Sequence, residues 1–97
     1  MGLGNALTEE FIVENGELFT DRMARYRVPS ITQSPEIISI PIEHPTHDGP
    51  YGAKGLGEIS SIPTTPAITN AIYNAVGVRI DRLPVDQEEI IRQYHGI

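Results

Sequence analysis

Glu58 is the side chain whose surroundings in sequence best suit it for chemistry. It ends the run Gly49-Pro50-Tyr51-Gly52-Ala53-Lys54-Gly55-Leu56-Gly57-Glu58, in which four glycines are set among small and apolar residues. Glycine leaves room for another group to approach the backbone, but it loses more conformational freedom on folding than any other residue. A stretch so rich in it implies a loop shaped around something. The loop then passes through Ile59–Pro66, with two prolines, into an apolar helical pattern. Glu58 therefore sits on a shaped turn that feeds a helix, a suitable mount for a proton-accepting carboxylate. On residue types alone, a structural turn and a ligand-facing loop both stay open, and the turn is the plainer account.

The run is no phosphate loop, because neither Ser nor Thr follows Lys54 and the glycine spacing is wrong. It is no dinucleotide fingerprint either: the spacing of Gly52, Gly55 and Gly57 is reversed and no strand leads directly into them. His44, His47 and Asp48 are metal-ligand types, but Pro45 separates the histidines and no further ligand stands at a convincing spacing, so a solvated loop is expected. No metal site is assigned. His95 falls in a helix's last turn, where a cation is favourable without further role. Arg22, Arg25 and Arg27 stand beside Asp21 in an acidic chain and read as a solvated face or as contacts to a neighbouring segment. Thr8, Ser60 and Ser61 lack the His and Asp partners of a nucleophile.

The composition narrows the classes. A chain of 97 residues amounts to one small domain or a piece of a larger one. With 39% hydrophobic residues it should fold rather than remain disordered. A net charge of −6 disfavours nucleic acid and anionic lipid, which require a basic face. With no cysteine there are no disulfides, thiolate zinc sites or iron–sulfur ligands in this chain. No apolar run approaches the ~20 residues of a membrane span, and the first residues lack the basic and apolar regions of a secretory signal. A soluble, cytoplasmic protein is expected, with no membrane and no nucleic-acid partner.

The elements that must carry Glu58 follow from periodicity. Leu3, Ala6, Leu7 and Phe11 recur at helical spacing, predicting a short helix that ends near Glu10. Its pattern starts almost at Met1 without a capping residue, as in a segment cut from a longer chain. Asn15-Gly16 between Phe11–Glu14 and Glu17–Thr20 predicts a hairpin with a type I′ turn. The β-branched run Glu36–Glu43 predicts a further strand, at an edge or interrupted at Pro41, which cannot donate to a ladder. Residues 44–66 form a long irregular segment, of a length usually functional or disordered. Thr65 and Pro66 read as N-cap and first residue of a helix with the apolar face Ala67, Ile68, Ala71, Ile72, Ala75 and Val76, ended by Gly77. Asp86 and Glu89 form a capping-box pattern for a last helix from about Gln87 to His95. The expected fold class is α+β over residues 1–97: short N-terminal helix, hairpin, further strand, long Gly/Pro loop and two C-terminal helices.

Several of these stretches together resemble one family. Gly52-Ala53-Lys54-Gly55-Leu56-Gly57-Glu58, Pro66-Ala67-Ile68-Thr69-Asn70-Ala71-Ile72 and Gly77-Val78-Arg79-Ile80 look like the C-terminal end of the molybdopterin-binding large subunit of the xanthine dehydrogenase and aldehyde oxidase family, the molybdenum hydroxylases. The opening Gly2-Leu3-Gly4-Asn5-Ala6-Leu7-Thr8-Glu9-Glu10 and the spacing of Tyr26-Arg27-Val28-Pro29 to Pro35-Glu36-Ile37 extend the resemblance over essentially the whole chain. It implies the C-terminal part of a molybdopterin-binding domain. The implied activity is hydroxylation of an activated carbon in an N-heterocycle or aldehyde, with water as the oxygen source. Glu58 would be the general base toward the oxygen held by the metal, and Gly55 and Gly57 would let the backbone pass close to the cofactor.

The departures are equally specific. The glutamine that the family places before the first Gly-x-Gly is replaced here by Gly2 or Met1, depending on how the motif is aligned. Two prolines follow the glutamate in many relatives, where this chain has Ile59 and Ser60. Most of the cofactor groove lies outside a chain this short. The resemblance thus implies molybdenum–molybdopterin in the complete enzyme but none in the isolated chain, which should be inactive. The implied partners are the remainder of the large subunit, FAD and iron–sulfur subunits or domains, and a small heterocycle or aldehyde substrate. A non-catalytic binding or assembly module that kept the fold and lost the chemistry is the alternative, and self-association through the first helix or an edge strand belongs with it.

Overall fold

Residues 1–96 are described by a computed structural model; Ile97 lies outside the described residues. Four helices and one two-stranded antiparallel sheet follow in the order α1 (Gly2–Leu7), β1 (Val13–Glu14), β2 (Glu17–Leu18), α2 (Met23–Tyr26), α3 (Thr64–Val76) and α4 (Gln87–His95). Short 3₁₀ turns stand at Ile31–Gln33 and Pro50–Gly52. This is the expected α+β class.

The interior is a small knot around α1. Ala6 is 0% exposed, and Val78 and Val85 are the other buried apolar side chains among the described residues. α1 lies against α3, and the Ala6 carbonyl accepts from the Val85 amide at 2.7 Å. The Thr65 hydroxyl donates to the Gly2 carbonyl at 3.3 Å, fixing the start of α3 against the start of α1. Gly2 and Gly4 are needed for this approach: a Cβ at Gly2 would fall on the Thr64 side chain, and one at Gly4 on the Glu9 carboxylate and the Pro29 ring. At the other end of α3 the Arg79 guanidinium stacks over the Tyr73 ring at 3.9 Å.

The hairpin takes the predicted turn. Asn15 and Gly16 have φ of 52° and 83°, and Glu14 pairs with Glu17 and Val13 with Leu18. The Ile12 amide donates to the hydroxyl of Thr20, the one buried polar side chain among the described residues. Helix α2, which no apolar period announced, is closed by Arg27 in the left-handed region and braced by Arg25, which binds Asp21 and the Phe19 carbonyl and lies over the Phe19 ring.

Several boundaries move. α1 stops at Leu7 rather than near Glu10, because the amides of Thr8 and Glu9 both turn back to the Gly4 carbonyl. α3 begins at Thr64 with Pro63 as N-cap, so Thr65 is not the cap; Pro66 still lies in the first turn, where an amide has no helical acceptor. Of the α3 apolar face, Ile68, Ile72 and Val76 are half-buried while Ala67, Ala71 and Ala75 face solvent. α4 matches its predicted span and Asp86 accepts from the Glu88 amide at 2.9 Å, but Glu89 binds Arg92 and Gln93 instead of closing the capping box. The further strand at 36–43 has no partner: it is chain without turn or bend, paired to no other segment among the described residues.

Candidate functional site

The glycine-rich loop divides into a closed half and an open half. In the closed half the Thr46 amide donates to the Gly52 carbonyl at 3.2 Å, drawing residues 46–52 into a ring. Gly49 and Gly52 are required there by their own neighbours: a Cβ on Gly49 would crowd the Ala53 carbonyl oxygen, and one on Gly52, whose φ is 74°, the Pro45 ring. The Lys54 ammonium lies 3.3 Å from His44 Nδ1 and ties the ring to the chain that enters it. His44, His47 and Asp48 line a small concavity with Lys54, a cation among them, and among the described residues no three His, Cys, Asp or Glu side chains gather to hold a metal ion.

The open half carries Gly55, Leu56, Gly57 and Glu58. A Cβ on Gly55 or Gly57 would meet nothing within 4 Å, and neither residue has a φ that an L side chain avoids. They are the two glycines of the chain for which neither crowding nor backbone conformation supplies a reason. Glu58 follows, exposed, and its carboxylate makes no hydrogen bond or ion pair among the described residues. Leu56, Ile59 and Ile62 around it are exposed as well.

Two side chains hold this turn that residue types alone did not single out for the purpose. The Ser60 hydroxyl donates to the Gly57 carbonyl at 2.9 Å and the Ser61 hydroxyl to the Glu58 carbonyl at 2.8 Å. The Ser61 amide also donates to the Glu58 carbonyl, and the Thr64 hydroxyl continues the series to the Ser60 carbonyl. These short-range bonds brace residues 57–64 into successive turns leading to α3.

The residues present fit a group held mainly by other protein. At Gly55 and Gly57 a strip of backbone is left open, and the exposed Glu58 carboxylate stands at its end. A broad concavity of about 930 Å³ lies elsewhere, between α1, the hairpin and residues 79–87, and none of residues 49–63 lines it. Arg25, Arg27, Arg79 and Arg82 line that cavity together with Glu10, Asp81, Asp86 and Glu89, so its charges balance. No helix is long and apolar enough to cross a membrane among the described residues.

No protein-family model matches the chain. Its similarity to characterised proteins is nonetheless extensive. It is 37% identical over 91 residues to a probable xanthine dehydrogenase subunit of Bacillus subtilis, covering 94% of this chain and 12% of that protein. It is 41% identical over 100 residues to the 6-hydroxypseudooxynicotine dehydrogenase complex subunit gamma of Paenarthrobacter nicotinovorans, covering 99% of this chain and 13% of that one. The aldehyde oxidoreductase of Megalodesulfovibrio gigas is 40% identical over 93 residues, covering 93% of this chain and 10% of its own length. The chain spans about an eighth of the length of the curated relatives it matches. With motifs and similarity both running from end to end, the chain belongs to the xanthine dehydrogenase and aldehyde oxidoreductase family, as a segment homologous to part of its molybdenum-binding subunit.

Proposed function

We propose that this chain acts as the C-terminal segment of a molybdenum hydroxylase large subunit, supplying the general base Glu58 and, through Gly55 and Gly57, a strip of the cofactor's binding surface. The observation that carries the reading is the pair of glycines with no reason inside the chain: open space and ordinary φ at Gly55 and Gly57, directly before an unpaired carboxylate. A Cβ there would protrude only into whatever covers this strip in the assembled subunit. The molybdopterin-bound metal supplies, when present, the two-electron oxidation that lets an oxygen from water enter an activated carbon. Glu58 receives at its carboxylate the proton that this water loses, and Ser60 and Ser61 keep the turn from which it acts in place. Leu56, Ile59 and Ile62 become the apolar wall that excludes solvent once the rest of the subunit covers them.

The substrate class is an N-heterocycle or aldehyde, in keeping with relatives named as xanthine dehydrogenase, nicotine 6-hydroxylase and aldehyde oxidoreductase. The partners are the remaining large subunit and, in the complete cytoplasmic enzyme, FAD and iron–sulfur subunits or domains. The isolated chain, about an eighth of the length of these relatives, retains no molybdenum and no activity.

Co-expression with the remainder of a large subunit tests this. Glu58→Gln is expected to lower turnover by about 10²–10⁴-fold with molybdenum content unchanged. Wild-type turnover from the variant in an active complex would instead favour an assembly module without catalytic part, and stoichiometric molybdenum in the isolated chain would overturn the claim of dependence.

A further inference from the structure

Residues 35–45 make no hydrogen bond through their backbone to any described residue, although the flanking amides of Ser34 and Thr46 are bonded. The segment runs without turn or bend and contains Glu36-Ile37-Ile38-Ser39-Ile40-Pro41-Ile42-Glu43. Ile38, Ile40 and Ile42 are 78%, 78% and 89% exposed. β-branched residues this exposed, at every second position, form one face of a strand that has no sheet.

Period two governs the backbone as well as the side chains. In a strand, the amide and carbonyl of one residue point to the same edge, and those of the next residue to the other. Ile38, Ile40 and Ile42 therefore share an edge with every donor intact. Ile37, Ser39, Pro41 and Glu43 share the opposite edge, and there Pro41 has no N–H to offer. That edge also carries Ser39 and Glu43, residues suited to solvent. The pattern thus distinguishes a pairing edge from a free one, and an apolar face from a mixed one.

We propose that residues 36–43 add as a β-strand to an open sheet edge in the part of the large subunit that this chain does not contain, pairing through the backbone of Ile38, Ile40 and Ile42 and seating their side chains in an apolar slot. The occupant follows from proportion: relatives matched along nearly all of this chain are about eight times longer, and the one sheet found among the described residues is a two-residue ladder that does not reach the segment. The inference rests on the reading of the chain as part of a large subunit, and it adds how the catalytic turn is located. The strand leads through His44 into the closed ring at 46–52 and on to Glu58, so fixing its register fixes where the carboxylate is delivered.

The test co-expresses this chain with the Bacillus subtilis relative from which the 91 matched residues have been deleted, and follows co-purification and amide hydrogen exchange. In the complex the amides of Ile38, Ile40 and Ile42 are expected to slow by at least about 100-fold, while those of Ile37, Ser39 and Glu43 remain fast. Ile40→Pro removes a donor from the pairing edge and should weaken the complex by about 10–100-fold, whereas Ser39→Pro, on the edge already interrupted by Pro41, should leave it within about threefold. Both variants should leave the circular dichroism of the free chain unchanged, which separates docking from folding. A complex in which the Ile38, Ile40 and Ile42 amides exchange freely, or in which both prolines act alike, overturns the strand while the subunit reading stands. Protection that arises only in homodimers assigns the edge to a second copy and overturns the proposed partner, and no complex at all overturns both.

Discussion

The knot around α1 and the stretch from residue 35 to 63 obey opposite rules. In the knot, close approach is satisfied from within: Gly2 meets Thr64, Gly4 meets Glu9 and Pro29, and the fully buried Ala6 gives its carbonyl to the Val85 amide. In the stretch, outside the closed ring at 46–52, features that usually demand a neighbour have none: isoleucines in solvent, a backbone at 35–45 without partners, and Gly55 and Gly57 facing open space. The radius of gyration of 17.7 Å records the imbalance, since a compact chain of this length would have one of about 12–13 Å. Where the chain closes on itself it builds support, and where it stays open it presents the candidate site. Under the proposed function, the open region is one side of a contact whose other side belongs to the rest of the subunit.

Substitutions can break this contrast directly. The largest effect on the free chain is expected from Ala6→Asp, which places a charge at a fully buried position with no partner and should cost about 3–5 kcal/mol, enough to remove most helical circular dichroism. Ile59→Asp, exposed in the open region, should leave the free chain's spectrum unchanged and yet prevent assembly with the remaining subunit. If the two behave alike in the free chain, the division is wrong.

A finer version compares glycines. Gly4→Ala must displace Glu9 or Pro29 and should destabilise the free chain by about 1–3 kcal/mol in thermal or urea unfolding. Gly57→Ala meets open space at an ordinary φ and should be neutral or stabilising by up to about 1 kcal/mol. In the co-expressed enzyme the order reverses for cofactor content: Gly57→Ala lowers molybdenum per subunit at unchanged protein yield. Full molybdenum occupancy in that variant would remove the reason proposed for the glycine.

What the sequence could disclose divides along the same line. The hairpin was legible because Asn15-Gly16 specifies its own turn, and α4 because Asp86 and Gly96 mark both ends within one short stretch. The end of α1 was not, because it depends on the Glu9 amide reaching back to the Gly4 carbonyl, a backbone bond that apolar spacing does not encode. The strand at 36–43 was legible as a pattern and absent as a structure, since a ladder needs a second strand and periodicity encodes only the first. For the site, the loop and its carboxylate stood out by residue type, while the bracing role of Ser60 and Ser61 emerged only from which carbonyls their hydroxyls reach.

The most local effect is expected in α4, which belongs to neither region. It has no buried residue, and Ile91 and Tyr94 remain exposed. A nine-residue helix with no fully buried residue is marginal in water, so its stability in the free chain rests largely on local devices. Asp86 caps the second helical amide, Gly96 closes the C-terminus at φ 67°, and the exposed Glu89–Arg92 pair adds at most a few tenths of a kcal/mol. Asp86→Ala should therefore cost about 1 kcal/mol, shifting the local helix–coil balance roughly fivefold, seen as faster amide exchange in residues 87–95 with α1 and α3 unaffected. In the assembled subunit, cover over Ile91 and Tyr94 adds packing that does not depend on the cap, so the same substitution should accelerate exchange less. An equal acceleration in both states would mean that α4 stays solvated in the complex and that the covering surface stops short of the C-terminal helix.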